Sequence, residues 1–427
     1  MELRSSSQRK KRMYADRTKD FISELPQDIV ECILLRLPIK ETVRTSILSQ
    51  KWRYKWTTLR EIVFTEQSMV LANGKPTTNN FANIYHVLIN HTGPIKKFGA
   101  RFSLFKRINQ FNLDLWVSLL KEKGIQEIIL EFMKGKFCVA PSRLFSCERL
   151  TYLKLYGCMV KLPCPFSGLR SLNRLDLDCF DVTNAEFNRL LSGCSVLETL
   201  TLIDFDIDYL TFDIPSLRFL YVDGKFKSIS FGSATHISWL RIRLLGNANG
   251  HLNQDNCCNL ITILGCQTSI EKLVLQNHIM KFLSVGNIPT KFPTMFDCLK
   301  EISLTVNFKD LDEVSVVLCL LRSSPIFEHL KITVWLKRLG RQRNADDFWT
   351  AQNQIDSMDQ LRFVCIDEFF GGESELQFIK YVLGKSPALE KMIIYPRKKV
   401  CSKGPKMFEQ LRQYHRASVK AELVICS

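Results

Sequence analysis

No stretch of this sequence is apolar for long enough to cross a bilayer. The densest run, Val314 to Leu321, is stopped by Arg322, well short of the roughly 20 residues that a spanning helix needs. No apolar segment follows the basic N-terminus, so no secretory signal is expected. Cys-x-x-Cys does not occur, and the 15 cysteines are odd in number. Both features argue against a disulfide framework and against a zinc finger. The one local group, His251, Cys257, Cys258 and Cys266, sets two cysteines side by side, a poor arrangement for tetrahedral ligands. Buried, reduced thiols are expected there, with no metal and no other cofactor. Cys158 and Cys179 fall just after apolar strands, where a small buried residue suits a tight turn.

Catalytic patterns are missing as well. There is no Gly-x-Ser-x-Gly elbow and no His-x-x-x-His pair. Gly384-Lys385-Ser386 would end a phosphate-binding loop only if its first glycine stood at position 379, which is Ile379. Gly384 instead reads as the residue that ends a helix. His329 falls at a strand position that suits a binding surface rather than a base, and Asp176 and Asp178 read as solvent-facing. A non-catalytic protein is expected.

What is present is a large basic surplus and a folded composition. The net charge is +16 and 46% of residues are hydrophobic, which indicates an ordered chain. Much of the surplus lies near the ends, at Arg9, Lys10, Lys11 and Arg12 and at Arg397, Lys398, Lys399, Lys403 and Lys406. Such runs are more often solvated tails or import signals than nucleic-acid sites. No zinc finger, basic zipper or RNA-recognition pattern accompanies them, so specific nucleic-acid binding is not expected. The expected location is intracellular, in the nucleus, the cytoplasm or both, away from membranes.

The densest information lies between Leu25 and Trp56. Leu25-Pro26 and Leu37-Pro38 each set a proline at a helix start, where its missing N–H costs nothing. Ile29, Ile33 and Leu37 then recur every four residues, with Val30 and Leu34 beside them. A second short helix is expected from Ile39 to Ile47, and a third, capped by Ser49, displaying Trp52 and Trp56. So small a module has too little interior for all these groups, and some should face a partner.

This string, with its double Leu-Pro and its Val43-Arg44-Thr45-Ser46-Ile47-Leu48-Ser49 running into Lys51-Trp52-Arg53, closely resembles an F-box. The resemblance implies docking onto a Skp1-like adaptor and, through it, onto a cullin and a RING protein. Leu25, Pro26, Ile29, Ile33, Leu34, Leu37, Pro38, Val43, Leu48 and Trp52 are expected to include the adaptor-binding surface, some of them closing the module's own core.

The remainder is repetitive. Four stretches align over thirteen positions without a gap: LLSGCSVLETLTL from Leu190, ILGCQTSIEKLVL from Ile263, LLRSSPIFEHLKI from Leu320 and VLGKSPALEKMII from Val382. Glu198, Glu271, Glu328 and Glu390 hold the same place in all four and read as structural or solvated. Looser L-x-x-L-x-L strands begin at Leu59, Ile125, Leu150, Leu172, Leu217, Ile237, Leu299 and Leu361, with a weaker one at Ile95. Alternating leucines point to one side of a strand, and no single unit can bury that side alone. Stacking is therefore predicted, in an irregular solenoid that resembles a leucine-rich repeat with long helical returns.

Leu361 to Ile366, Phe369 to Glu373, a helix from Glu375 to Leu383 and LEKMIIY resemble an FBD domain, and Phe81 to Phe98 is similar to the early part of the same plant F-box/LRR/FBD proteins. A closing helix near Lys406 to Tyr414 and a strand from Ala421 to Ile425 would cap the open end. The expected fold is α/β: a basic tail over 1–19, an all-α three-helix F-box over 20–57, a parallel-sheet solenoid over 58–354 and an FBD-like α/β cap over 355–427. Two functions follow, a ubiquitin-ligase substrate receptor or a binding scaffold that does not deliver its target for ubiquitination. The target, a protein, should meet the concave residues between the last two apolar positions of each strand: Lys154, Asp176, Thr201, Tyr221, Arg241, Val274, Ser303 and Lys331. Tyr221 and Arg241 lead that row, because aromatic and arginine side chains dominate interfaces.

Overall fold

The computed structural model describes residues 22–65, 68, 80–102, 110–132, 137–246, 263–335, 345–352, 357–397 and 405–426. The Arg9–Arg12 cluster, His251, Cys257, Cys258, Lys398, Lys399 and Lys403 lie outside them. The chain divides into two compact units, Met1–Gly157 and Cys158–Ser427.

The first unit opens with helices α1 (Gln27–Leu35) and α2 (Ile39–Arg44), followed by single 3-10 turns at Thr45–Ile47 and Lys55–Thr58. Pro26 and Pro38 stand one residue earlier than expected, as N-caps with φ of −54° and −55°. Their carbonyls accept the first helical N–H groups, from Val30 at 3.1 Å and Thr42 at 2.9 Å. The predicted third α-helix is only the 3-10 turn at Lys55–Thr58, and Trp52 and Trp56 are not displayed but buried. They join Val30, Leu34 and Leu59 in one core, against which Leu25, Val43 and Val87 pack. Thr42 closes the C-terminal end of α1: its buried hydroxyl lies 3.1 Å from the Leu34 carbonyl and 3.3 Å from that of Leu37. The Leu34 carbonyl belongs to the last turn of α1 and also accepts from the Leu37 N–H at 3.1 Å.

Behind this module run β1 (Glu61–Phe64), α3 (Asn80–Asn90), β2 (Lys97–Phe102), α4 (Gln110–Glu122), β3 (Glu127–Phe132) and β4 (Tyr152–Tyr156). The strands are parallel and in sequence order, with Ile62, Phe98, Ile128 and Leu153 in register. His91 joins the module to this sheet: its Nε2 lies 2.7 Å from the Leu59 carbonyl and its Nδ1 3.0 Å from that of Gly93. Desolvation lowers its pKa below the ordinary value, and nearby Lys123 adds to that; the two carbonyls oppose it.

The second unit repeats one move. Its strands are β5 (Arg174–Asp178), β6 (Thr199–Asp206), β7 (Phe219–Lys225), β8 (Trp239–Leu244), β9 (Lys272–Asn277), β10 (Glu301–Val306), β11 (His329–Val334), β12 (Phe363–Phe369), β13 (Lys391–Pro396) and β14 (Glu422–Ile425). All are parallel and neighbours in sequence order. Each of β5 to β13 starts two residues after an apolar residue of the predicted pattern, as Leu172 precedes Arg174 and Leu389 precedes Lys391. At Leu172, Leu197, Leu217, Leu299, Leu361 and Leu389 that residue closes a tight turn, its N–H reaching the carbonyl three positions back. Leu200, Leu220, Leu240, Leu273, Ile302, Leu330, Val364 and Met392 then stack in register and are buried.

The helical returns in this unit are α5 (Asn184–Ser192), α6 (Ile279–Leu283), α7 (Leu311–Arg322), α8 (Ala345–Gln352), α9 (Glu373–Lys385) and α10 (Pro405–Gln413). In α5, α7 and α9 the third residue is a glutamate that reaches back to a backbone N–H before the helix: Glu186 to Leu162 at 3.3 Å, Glu313 to Asn307 at 2.9 Å and Glu375 to Phe370 at 2.8 Å. These contacts tie each helix start to chain that precedes it and occupy backbone donors there. The four aligned thirteen-residue stretches share a second device at their fifth position. Cys194, Ser324 and Ser386 each donate to the carbonyl four residues back, and Gln267 donates to the Ala234 carbonyl at 2.9 Å. Gly384 does not end α9, which runs on to Lys385, so the expected glycine stop is replaced by this Ser386 contact. Between β6 and β8 the returns are not helical; Tyr209–Thr211 pairs in parallel with Ser228–Ser230 instead.

Candidate interaction surfaces

The N-terminal module carries two adjacent apolar stripes, one buried and one exposed. Val30 and Leu34 point inward, one turn apart, whereas Ile29, Ile33 and Leu37 are exposed. Pro26, Pro38 and Leu48 are exposed too, with Leu48 at 60%. Leu34 and Trp52 therefore leave the set of possible surface anchors, because they are already spent on the core. Trp52 is further held by its indole N–H, which donates to the Ile22 carbonyl at 3.3 Å. Leu25 and Val43 are half-buried and serve the core edge. The structure adds Leu35, Tyr54 and, most exposed at 83%, Ile47. Ile47 stood beside Leu48 in the same apolar string, so its signal was present in the sequence. A module whose core is complete and which still shows this many large apolar side chains has the surface expected of a docking site.

The second surface is the face of the second unit's sheet opposite its leucines. Asp176, Thr201, Tyr221, Arg241, Val274, Ser303 and Lys331 form one in-register row across β5 to β11. Lys154 belongs to the first unit, where it is paired in register with Ile129 and bridged to Glu131 at 2.6 Å. Two members differ from expectation. Val274 is buried, and Asp176, read as solvent-facing, is only 6% exposed because Arg174 grips its carboxylate at 2.9 Å and 3.1 Å. Lys331 is exposed and bridged to Asp367 at 2.6 Å.

The centre of that row is the most elaborate part. Phe219 stacks flat on Trp239, with ring centroids 4.0 Å apart, and Tyr221 meets Trp239 edge-on. The Arg241 guanidinium lies 4.6 Å from the centre of the Tyr221 ring and donates to Gln276 Oε1 at 2.9 Å. Tyr221 donates to Asp223 Oδ2 at 3.0 Å, and Arg243 reaches the same oxygen at 3.2 Å. Asp223 Oδ1 is buried with no hydrogen-bond partner among the described residues. Burial and the Asp223 carboxylate raise the Tyr221 pKa, so its hydroxyl stays a donor at neutral pH. Phe219 and Trp239 begin a neighbouring row that continues in register through Lys272, Glu301, His329 and Phe363, where His329 stacks on Phe363 at 5.1 Å. Flat aromatic slabs beside fixed guanidinium groups are the usual makings of a protein-binding patch.

Comparison with known proteins accounts for nearly the whole chain. A family model for the F-box domain matches residues 22–63, one described as FBD-associated F-box protein At5g56370, LRR repeats, matches 113–332, and one for FBD matches 358–394. The F-box/FBD/LRR-repeat protein At1g13570 of Arabidopsis thaliana is 35% identical over 410 residues, covering 95% of this chain and 98% of that protein. The chain belongs to the F-box/FBD/LRR-repeat family. The Arabidopsis F-box/FBD/LRR-repeat protein At3g52680 is 26% identical, with 87% of this chain and 84% of that protein covered. FBD-associated F-box protein At3g52670, also from Arabidopsis, is 25% identical over 87% of this chain and 88% of its own.

An F-box joined to leucine-rich repeats makes the protein an interaction adaptor, and no catalytic family is among the matches. Among the described residues no group of His, Cys, Asp and Glu is placed to hold a metal, and no helix is long and apolar enough to cross a membrane. Cys266, expected to be buried, is exposed. Cys158 is buried, and Cys179, half-buried, makes its turn with φ of 47°. Burial pushes the thiols of Cys147, Cys319 and Cys365 up to about 11 and that of Cys194 to about 12, so these sulfurs stay protonated at neutral pH.

Proposed function

We propose that this F-box/FBD/LRR-repeat protein is the substrate-binding subunit of a Skp1–cullin–F-box ubiquitin ligase. The observation that carries the proposal is the outward stripe of the F-box. Ile29, Ile33, Leu37, Ile47 and Leu48 are exposed on a module that has already filled its own core with Val30, Leu34, Trp52 and Trp56. Pro26 and Pro38 flank the stripe, with Leu25 and Val43 at its edge. The target is a protein, held on the open face of the sheet around Tyr221 and Arg241, and the Arg9–Arg12 cluster serves nuclear import rather than nucleic-acid binding.

The test is capture of the tagged full-length chain from cells, beside an Ile47→Glu, Leu48→Glu form. Both positions are exposed, so the double substitution leaves the core intact. Wild type is expected to retain a Skp1-type adaptor and a cullin and to support ubiquitin transfer to a captured protein, and the double variant to retain neither adaptor nor cullin. Adaptor captured equally by both forms contradicts the assigned surface. A captured target that is never ubiquitinated identifies a scaffold instead.

A further inference from the structure

On the open face of the second unit nearly every strand charge is matched by an opposite one. Arg174 pairs with Asp176 at 2.9 Å, Arg243 with Asp223 at 3.2 Å, Lys272 with Glu301 at 2.5 Å, Lys331 with Asp367 at 2.6 Å and Lys391 with Glu422 at 3.7 Å. Among the described cations of these strands Arg241 is the one with no carboxylate bridged to it. Its Nε and Nη2 donate to the neutral Gln276 Oε1, and its plane rests on Tyr221, but no carboxylate pairs with it. A guanidinium fixed in this way presents its remaining N–H edge with little rotamer freedom left to lose, which favours a bidentate or charge-assisted acceptor.

Two residues earlier on β8, Trp239 carries the other half of the patch. It is half-buried and stacked flat on Phe219. Residues two apart on a strand lie about 7 Å apart on the same side. An extended segment laid along β8 repeats its own side chains at that same interval. We infer that the open face takes an extended acidic peptide segment, with an Asp or Glu on Arg241 and, two residues away, a large apolar or aromatic side chain on the Phe219–Trp239 slab. This rests on the proposed role of the open face in binding a target.

Charge complementarity selects this occupant over a nucleic acid. Arg241 asks for one anionic group; with Asp206, Asp223 and Asp367 bridged to Lys225, Arg243 and Lys331, the face offers one unmatched cation, which suits a single carboxylate and not a chain of phosphates. Asp223 does not oppose a single incoming carboxylate at Arg241, because Arg243 and the Tyr221 hydroxyl already hold it.

The test displays random twelve-residue peptides on phage against the full-length chain. The selected peptides are expected to carry Asp or Glu two positions from Phe, Trp, Tyr or Leu. In the best of them, changing the acid to its amide should weaken Kd about tenfold, as expected for a lost charge-assisted contact. Arg241→Gln should weaken the acidic peptide similarly and leave the amide peptide unchanged, so that the two changes do not add. The peptide-side change cannot disturb the fold of the protein. The inference is overturned if no peptides are enriched, if no acid appears at that spacing, if the amide peptide binds equally, or if a single-stranded RNA of twenty nucleotides displaces the peptide at equal concentration. Neither adaptor nor ubiquitin enters the assay, so loss of Skp1 binding leaves this result standing, and its own failure leaves the ligase reading standing.

Discussion

Phe219 lies flat on Trp239, the two planes within 4° of parallel and the centroids 4.0 Å apart. They are register partners on β7 and β8, so neighbouring repeats have combined their side chains into one slab that neither could form alone. The slab stands on the face opposite the leucines, where it adds nothing to the stacked core.

Trp239→Ala should therefore separate binding from stability. Removing a central aromatic anchor typically costs an interface about 2 kcal/mol or more, near thirtyfold in affinity for a target or selected peptide. The thermal midpoint should shift by little more than a surface substitution produces. A binding assay and a melting curve on the same preparation decide it; a large fall in midpoint would place Trp239 in the structural core instead.

Within the F-box, neighbouring residues of α1 should respond in opposite ways. Leu34→Ala opens a hole in the Trp52–Trp56 core and should cost on the order of 2–5 kcal/mol, visible as faster hydrogen exchange throughout α1. Ile33→Ala, one position away and exposed, should leave exchange unchanged and weaken adaptor binding. Equal exchange in the two variants would refute the division into inner and outer stripes.

Glu375 makes the C-terminal cap sensitive to pH. Burial raises its carboxyl to about 7, against the N–H groups of Phe370, Gly371 and Gly372 and nearby Lys309, which favour the charged form. The folded state thus holds a proton that the unfolded state releases near pH 4.5, and stability should fall as pH rises from there to about 7. Glu375→Gln keeps an oxygen acceptor for those N–H groups and removes the ionisation. Exchange protection of α9 should decline between pH 5 and pH 8 in wild type and hold level in the variant. A decline of equal size in both would assign the effect to another group.

Gly157 tests the tightness of a turn in the first unit. Its φ is 70°, and a Cβ built there would meet the Phe132 carbonyl oxygen at 2.2 Å. Gly157→Ala combines a strained backbone with a backbone clash that no rotamer relieves, so a loss above roughly 2 kcal/mol is expected. Denaturant unfolding followed by tryptophan fluorescence reads it, and an unchanged midpoint would mean that the turn relaxes freely.

Much of this arrangement could be read from the residues. The L-x-x-L-x-L pattern located β5 to β13, because alternation with period two and the burial of one face are the same fact seen in sequence and in space. The double Leu-Pro register located α1 and α2. What could not be read was which apolar residues a small module keeps for itself: Trp52 and Leu48 look alike in sequence, yet one closes the core and the other stands in the open. Helix α4 also went unrecognised, as did the pairing of Tyr209–Thr211 with Ser228–Ser230 in place of a helix. The burial of Asp176 had a signal, since Arg174 two positions earlier lies on the same side of the strand and reaches it. Tyr221 and Arg241 could be named from the pattern alone, whereas their contact with each other and with Gln276 depends on register among three strands.

The central claim is that the outer stripe of the F-box docks an adaptor. Hydrogen exchange of the full-length chain, alone and with a purified Skp1-type adaptor, tests it most directly. The account predicts a stable complex in which protection rises over Ile29–Leu37 and Ile47–Leu48 and stays unchanged over β7 and β8. No complex, or protection confined to the strands, would contradict it.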